Sequence, residues 1–330
     1  PVVGMTLVLL ILERTLDIGI FDPAKGGDPI LFENFFWFYS HPVVYVMILP
    51  AFGVISETVT IHSRKHIFGY TAIAASTLAI AAVGFLVWGH HMFLSGQSET
   101  MGAIFSFITF GVAVPTAIKV CSWIATLYKG KVRWNTVMMY TLGFLWIFTI
   151  GGLTGLPLAT LSTDVHLHDT YFVVAHFHYT MMGGVLFALI TGIYHWWPKM
   201  TGRMFSEKAG VPVAIFAFLA YNLTFIPQFI AGHRGMPRRY HEYLPQFEGM
   251  MQLSSLGSFL FGLSLFGVLF TLIHSLVRGE KAPANPWEGL SLEWETATPP
   301  IEHNFHDQPI CTVGPYDFDD IDVKDRVAAK

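Results

Sequence analysis

Three groups of histidines define the chemistry this sequence could perform. His41 lies in an aromatic, apolar run, Phe35-Phe36-Trp37-Phe38-Tyr39-Ser40-His41-Pro42-Val43-Val44-Tyr45. On a helix, Tyr45 projects one turn further along the same face as His41. His90 and His91 are adjacent, in Trp88-Gly89-His90-His91-Met92, near the end of a second apolar run. Neighbours on a helix point about 100° apart, so both reach one metal only where the helix borders a cavity. Alone, His41 suits a packing histidine bonded to a neighbour, and a His-His pair is weak evidence. Together they place three neutral imidazoles at membrane depth, and imidazole suits copper, iron or zinc. Three such ligands with an open position describe a reactive site rather than a structural one.

The third group is the run His166-Leu167-His168-Asp169-Thr170-Tyr171-Phe172-Val173-Val174-Ala175-His176-Phe177-His178-Tyr179. His176 and His178 are two apart, so they leave a helix about 200° apart. They cannot share a metal, but each can hold one. Haem iron commonly takes an axial histidine, so such a helix is a natural partition between two haems. The bland alternative is two core histidines with unrelated contacts. His168 and Asp169 could hold a divalent cation or merely cap the helix that follows. Thr116 and Lys119 share a face at i, i+3. A lysine inside a membrane segment is usually functional, although it can snorkel to the interface. Ser56 follows His41 by fifteen residues, about 60° round the helix. Ser56, Thr116, Lys119 and Tyr45 could therefore form a polar path toward the metal site.

The elements that must position these residues are membrane helices. Of 330 residues, 53% are hydrophobic and only 13% charged, half the charge of a soluble domain, with a mean hydropathy of +0.50. The net charge of -4 comes with no basic patch suited to nucleic acid. Cys121 and Cys311 have no paired spacing, which argues against a disulfide framework or a cysteine metal site. Seven full apolar spans are expected near 35–60, 68–92, 102–127, 136–157, 171–197, 210–231 and 250–277. Backbone in lipid must satisfy its own hydrogen bonds, so these are helices, and they lack the alternation of a transmembrane β-barrel. Val2 to Leu12 is too short to span and has no basic flank, so it reads as the end of a truncated helix. The fold class is all-α: a polytopic transmembrane bundle over 1–278, with a polar tail over 279–330 that has little structure of its own.

Arg64, Lys65, Lys129, Lys131, Arg133, Lys199, Arg203, Lys208, Arg278 and Lys281 fall in alternate loops. The positive-inside rule puts those loops and the C-terminus in the cytoplasm. The loop His233-Arg234-Gly235-Met236-Pro237-Arg238-Arg239-Tyr240 breaks the rule on the other side. It is either a solvated exception or a place where arginines meet anions held at the outer face.

Taken together, the strings His41-Pro42 with Tyr45, Trp88 to Met92, Pro115-Thr116-Ala117-Ile118-Lys119, His168 to Tyr179 and Gly235 to Tyr240 closely resemble subunit I of the haem-copper oxidases, from part of its fifth helix to its end. Their order and spacing over some two hundred residues carry the likeness. The resemblance implies that His41, His90 and His91 hold the copper of a binuclear centre. It implies that Tyr45 is covalently joined to His41 and supplies an electron and a proton to oxygen. His176 would ligate a high-spin haem and His178 a low-spin haem, both expected to be a-type. Arg238 and Arg239, with Asp164, would sit by the haem propionates, with Trp37 also beside a cofactor. His168 and Asp169 would contribute to a magnesium or manganese site shared with subunit II. Ser56, Thr116, Lys119 and Tyr45 would line a K-type proton path.

Two departures qualify the likeness. The commonest members carry a glutamate two residues after the first copper histidine, where this chain has Val43. Tyr39-Ser40 instead matches a subgroup in which that pair replaces the glutamate, so Tyr39 and Ser40 join the expected proton route. The family core has twelve helices, and the first four and most of the fifth are missing here, so the sequence is expected to be an incomplete part of that fold. The implied function is oxygen reduction to water with electrons from cytochrome c, coupled to proton translocation in a bacterial inner membrane. The implied partners are subunit II with its electron-entry site and subunit III. A quinol oxidase is the alternative donor class. Nitric oxide reductase relatives are expected to lack Tyr45 and Lys119. An ion channel without redox cofactors is the rival from another class, and a reduced-minus-oxidised haem spectrum separates it.

Overall fold

The computed structural model describes residues 1–310 and 314–318. Cys311 therefore lies outside the described residues. In chain order the α-helices are α1 Val2–Leu16, α2 Pro29–Ser63, α3 Tyr70–Gly84, α4 Glu99–Gly111, α5 Ala113–Leu127, α6 Thr136–Ala159, α7 Leu161–Leu167, α8 Tyr171–Phe177, α9 Gly184–Thr201, α10 Glu207–His233 and α11 Glu248–Arg278. Six stretches are long and apolar enough to cross a membrane: Pro29–Ser63, Glu99–Leu127, Thr136–Ala159, Tyr171–Thr201, Glu207–His233 and Pro245–Arg278. The chain is thus an all-α, multi-pass membrane bundle, and each of these stretches overlaps an expected span.

The second expected span, 68–92, takes another form. Its α-helix α3 has only 15 residues, about 22 Å of rise. A turn then leads into a 3₁₀ helix, Trp88–Met92. Close packing marks both ends of the break. A Cβ on Gly84 would fall 2.5 Å from the Tyr45 ring, and one on Gly89 2.2 Å from Phe105. The span over 102–127 is interrupted at Val112, between α4 and α5. Pro115 has no N–H to give the Gly111 carbonyl, which explains a break one residue later. Between α8 and α9 the helix widens into a π-helix, His178–Gly183.

Helices α2, α6, α9 and α10 surround one core that includes Ile55, Val59, Tyr140, Phe144, Phe187, Tyr194 and Tyr221. Outward-facing Phe107, Phe259, Phe266 and Phe270 are strongly exposed, as befits side chains that meet lipid rather than water. Among its described residues the segment after α11 has a single 3₁₀ turn, Leu292–Trp294, yet those residues are not loose. Trp287, Leu290 and Trp294 are buried. Trp287 Nε1 donates to the His195 carbonyl at 2.7 Å. Its ring lies 5.1 Å from His62.

Candidate functional site: a three-histidine centre beside a two-faced helix

The break after α3 solves the geometric problem posed by adjacent histidines. On a continuous α-helix, His90 and His91 would diverge. In the 3₁₀ turn their ring centroids are 4.2 Å apart. Both rings turn toward His41 on α2, which lies 4.5 Å from His90 and 5.2 Å from His91 by centroid. Each of the three can present one ring nitrogen so that all lie within 4.8 Å of one another. Among the described residues this is the single group of three His, Cys, Asp or Glu at that spacing. His41 Nδ1 is 3.0 Å from His91 Nε2. His41 Nε2 is buried with no hydrogen-bond partner. A buried, unsatisfied ring nitrogen costs free energy unless something binds it, so the donor set fits a transition-metal ion.

Neighbours fix the ring orientations. Trp37 stacks flat on His91, at 3.7 Å and 7°. Thr109 Oγ1 lies 3.2 Å from His90 Nδ1. Trp88 Nε1 donates to Asn34 Oδ1 at 3.1 Å, tying the turn to α2. The histidine pattern gave no hint of Thr109 or Asn34. Tyr45 lies one turn beyond His41, with ring centroids 4.9 Å apart.

His176 and His178 leave their helix in different directions, as the two-residue spacing requires. His176 faces α6, where its Nδ1 meets the Gly151 carbonyl at 3.0 Å and Thr154 Oγ1 at 3.2 Å. It is close enough to interact electrostatically with His41 and His90. His178 faces α10, stacked on Phe225 at 4.4 Å. Its Nδ1 meets the Val174 carbonyl at 2.7 Å. With Nδ1 held by backbone oxygen, each ring keeps Nε2 free as a ligand, the usual arrangement for a metal-bound imidazole. The π-turn starts at His178, and Tyr221 Oη donates to the His178 carbonyl at 2.7 Å.

The charged residues expected at two separate sites form one cluster. Arg238 Nε and Arg239 Nη1 meet Asp169 Oδ1 at 2.9 and 3.4 Å. Both arginines therefore pair with Asp169. Asp164 is buried and meets His168 Nδ1 at 3.2 Å. His168 Nε2 is 4.0 Å from Asp169 Oδ2. The hydrogen bond that His168 donates to the Asp164 carboxylate raises the His168 pKa. Burial raises that of Asp164.

Lys119 does not snorkel. It is 2% exposed. Its Nζ donates to the Ile73 carbonyl at 3.2 Å and to Thr77 Oγ1. Ser56 and Lys119 line one cavity of about 220 Å³. Ser56 Oγ accepts from Trp123 Nε1 at 2.9 Å. Thr116 is not among the residues lining this cavity, and its hydroxyl donates to the Val112 carbonyl at 2.9 Å. Tyr39 is half-exposed and Ser40 part-buried, and neither lines the cavity.

A family model described as "Cytochrome C and Quinol oxidase polypeptide I" matches residues 1–260. Cytochrome c oxidase subunit 1 of Synechocystis sp. is 49% identical over 318 residues, 96% of this chain and 58% of that protein. The subunit 1 of Thermostichus vulcanus is 46% identical over 96% of this chain and 58% of its own length. That of Cereibacter sphaeroides is 42% identical over 94% and 55%. The chain thus spans a little over half the length of these relatives. A solved haem-copper terminal oxidase superposes with a TM-score of 0.70 at 22% identity, over 78% of this chain and 51% of that one, which supports the fold. With three imidazoles converging beside a helix that presents histidines to two sides, and a family match over most of its length, the chain belongs to the cytochrome c and quinol oxidase polypeptide I family.

Proposed function

We propose that this chain forms the copper-binding, haem-binding part of a terminal respiratory oxidase that reduces dioxygen to water. The observation that carries the reading is the convergence of His41, His90 and His91 on one buried point, with His176 on the neighbouring helix. His41, His90 and His91 hold copper, His176 the iron of a high-spin haem and His178 that of a low-spin haem. When bound, these groups supply the electrons and the open coordination positions that oxygen reduction needs. The protein supplies orientation: Trp37, Thr109 and the carbonyls of Gly151 and Val174 hold the imidazole rings. Tyr45 offers a phenolic proton beside His41. Arg238 and Arg239, with Asp164, would meet propionate carboxylates, and His168 with Asp169 would ligate magnesium or manganese. The haems are proposed to be a-type.

The relatives named cytochrome c oxidase favour cytochrome c over quinol as electron donor. Subunits II and III, a bacterial inner membrane and a cytoplasmic C-terminus belong to the same reading. Lys119, Ser56 and Thr116 lead protons toward Tyr45, and Tyr39 with Ser40 relays them where Val43 replaces a glutamate. Replacing His90 by Ala in the full complex tests the centre. Copper and oxygen reduction should disappear while the low-spin haem spectrum remains. Full copper with full turnover in that variant would refute the assignment.

A further inference from the structure

The cavity that holds Lys119 has three titratable groups that the proton path above does not use, Glu57, Tyr70 and Tyr316, and two of them are bonded to each other. Glu57 follows Ser56 on α2, and Tyr316 comes from the far end of the described chain. Both line the cavity together with Ser56, Thr60, Thr77 and Lys119. Tyr316 Oη donates to Glu57 Oε2. The other carboxyl oxygen, Oε1, is buried and has no hydrogen-bond partner. The charged neighbours are committed elsewhere, Arg64 to Glu288 and His66 to Asp317. A buried carboxyl with one uncommitted oxygen is an acceptor waiting for a proton or a donor.

The segment that brings Tyr316 is fastened to the end of α2. His66 Nε2 lies 3.2 Å from Asp317 Oδ1. The Arg64 guanidinium packs over the Phe318 ring at 5.6 Å. Gly314 N donates to Asp317 Oδ2 at 3.0 Å. The cavity volume of about 220 Å³ is far above the roughly 10–15 Å³ that one water requires. Water can therefore link Glu57 to Lys119.

We propose that Glu57 loads protons into the Lys119 cavity, and that Tyr316, supplied by the chain's own C-terminal segment, positions its carboxyl. This rests on the reading that Lys119 carries protons. A proton arriving from the Arg64 end of the bundle adds to the Glu57 carboxylate. It then passes through water to the neutral Lys119 amine, and the carboxylate is restored. No electron moves, and only O–H and N–H bonds form and break.

The test uses the full oxidase complex carrying Glu57→Gln, Glu57→Asp, Tyr316→Phe or Lys119→Met. Glu57→Gln should slow turnover roughly a hundredfold, the lower end of what a positioned proton-transfer group contributes, with haem and copper content intact. Glu57→Asp should recover most of the rate. The reduced-minus-oxidised infrared spectrum should contain a carboxylic-acid carbonyl band that is lost in Glu57→Gln and shifted in Tyr316→Phe. A slow Lys119→Met beside a Glu57→Gln of normal rate would overturn this inference and leave the lysine path standing. Normal rates in both would overturn the two together. A Glu57→Asp variant as slow as Glu57→Gln, with no carboxyl band in the parent, would mean that Glu57 only holds the fold.

Discussion

A histidine becomes a ligand when its neighbours leave it one free nitrogen and one orientation. His90 meets Thr109 through Nδ1, and His91 is pinned by the face of Trp37. Such supporting contacts typically affect metal affinity by 10–100-fold. Thr109→Val keeps the shape and removes the hydroxyl. Copper affinity should fall by roughly tenfold or more, read by chelator competition on the purified complex, with haem content unchanged. An unaltered affinity would show that the ring is held by packing alone. Lys119 has its amine directed to the Ile73 carbonyl and Thr77 rather than to the interface. Lys119→Met should leave the complex assembled and slow proton delivery to Tyr45. Normal turnover in that variant would count against the path.

At the scale of elements, interruptions in helices do the positioning. The 3₁₀ turn Trp88–Met92 aims both adjacent histidines at α2, where a regular helix would point them about 100° apart. It depends on close approach, because a Cβ on Gly89 would fall within 2.2 Å of Phe105. Gly89→Ala should therefore displace the turn and lower copper occupancy, while the low-spin haem band survives. Full occupancy measured by metal analysis would show that the turn can move without cost to the site. The π-turn that starts at His178 is stabilised by Tyr221, whose hydroxyl takes up the His178 carbonyl. π-turns are rare and cluster at functional sites, which fits a helix that must present His176 and His178 to different neighbours.

Across the whole molecule, the segment after α11 closes one end of the bundle. Trp287 bonds the His195 carbonyl and packs on the buried pair His62 and His195, whose ring nitrogens are 3.1 Å apart. Trp287→Ala removes a large buried ring, a change that costs about 3–5 kcal/mol in other cores. The expected outcome is proteolytic cleavage within 279–310 under conditions where the parent resists. Equal resistance would mean that Trp294 and Leu290 suffice to hold the segment.

The sequence by itself determined the class, because lipid leaves a chain so apolar no choice but helices. It also singled out the side chains on which the proposed chemistry rests. Three imidazoles in apolar runs, two more at i, i+2 and a lysine inside a span are each too costly to bury without a task. The direction of each ring was a different matter. Helical spacing alone sent His90 and His91 apart, and only the packing of Gly84 on Tyr45 and Gly89 on Phe105 accompanies the turn that brings them together. The ion pairs of Arg238 and Arg239 with Asp169 likewise appear only in the fold. Thr77, Glu57 and Tyr316 could not be connected to Lys119 from the sequence, since Tyr316 lies 259 residues from Glu57 along the chain. Local periodicity reports which face a residue is on. Which other face it meets depends on contacts between distant segments, and those exist only once the chain has folded.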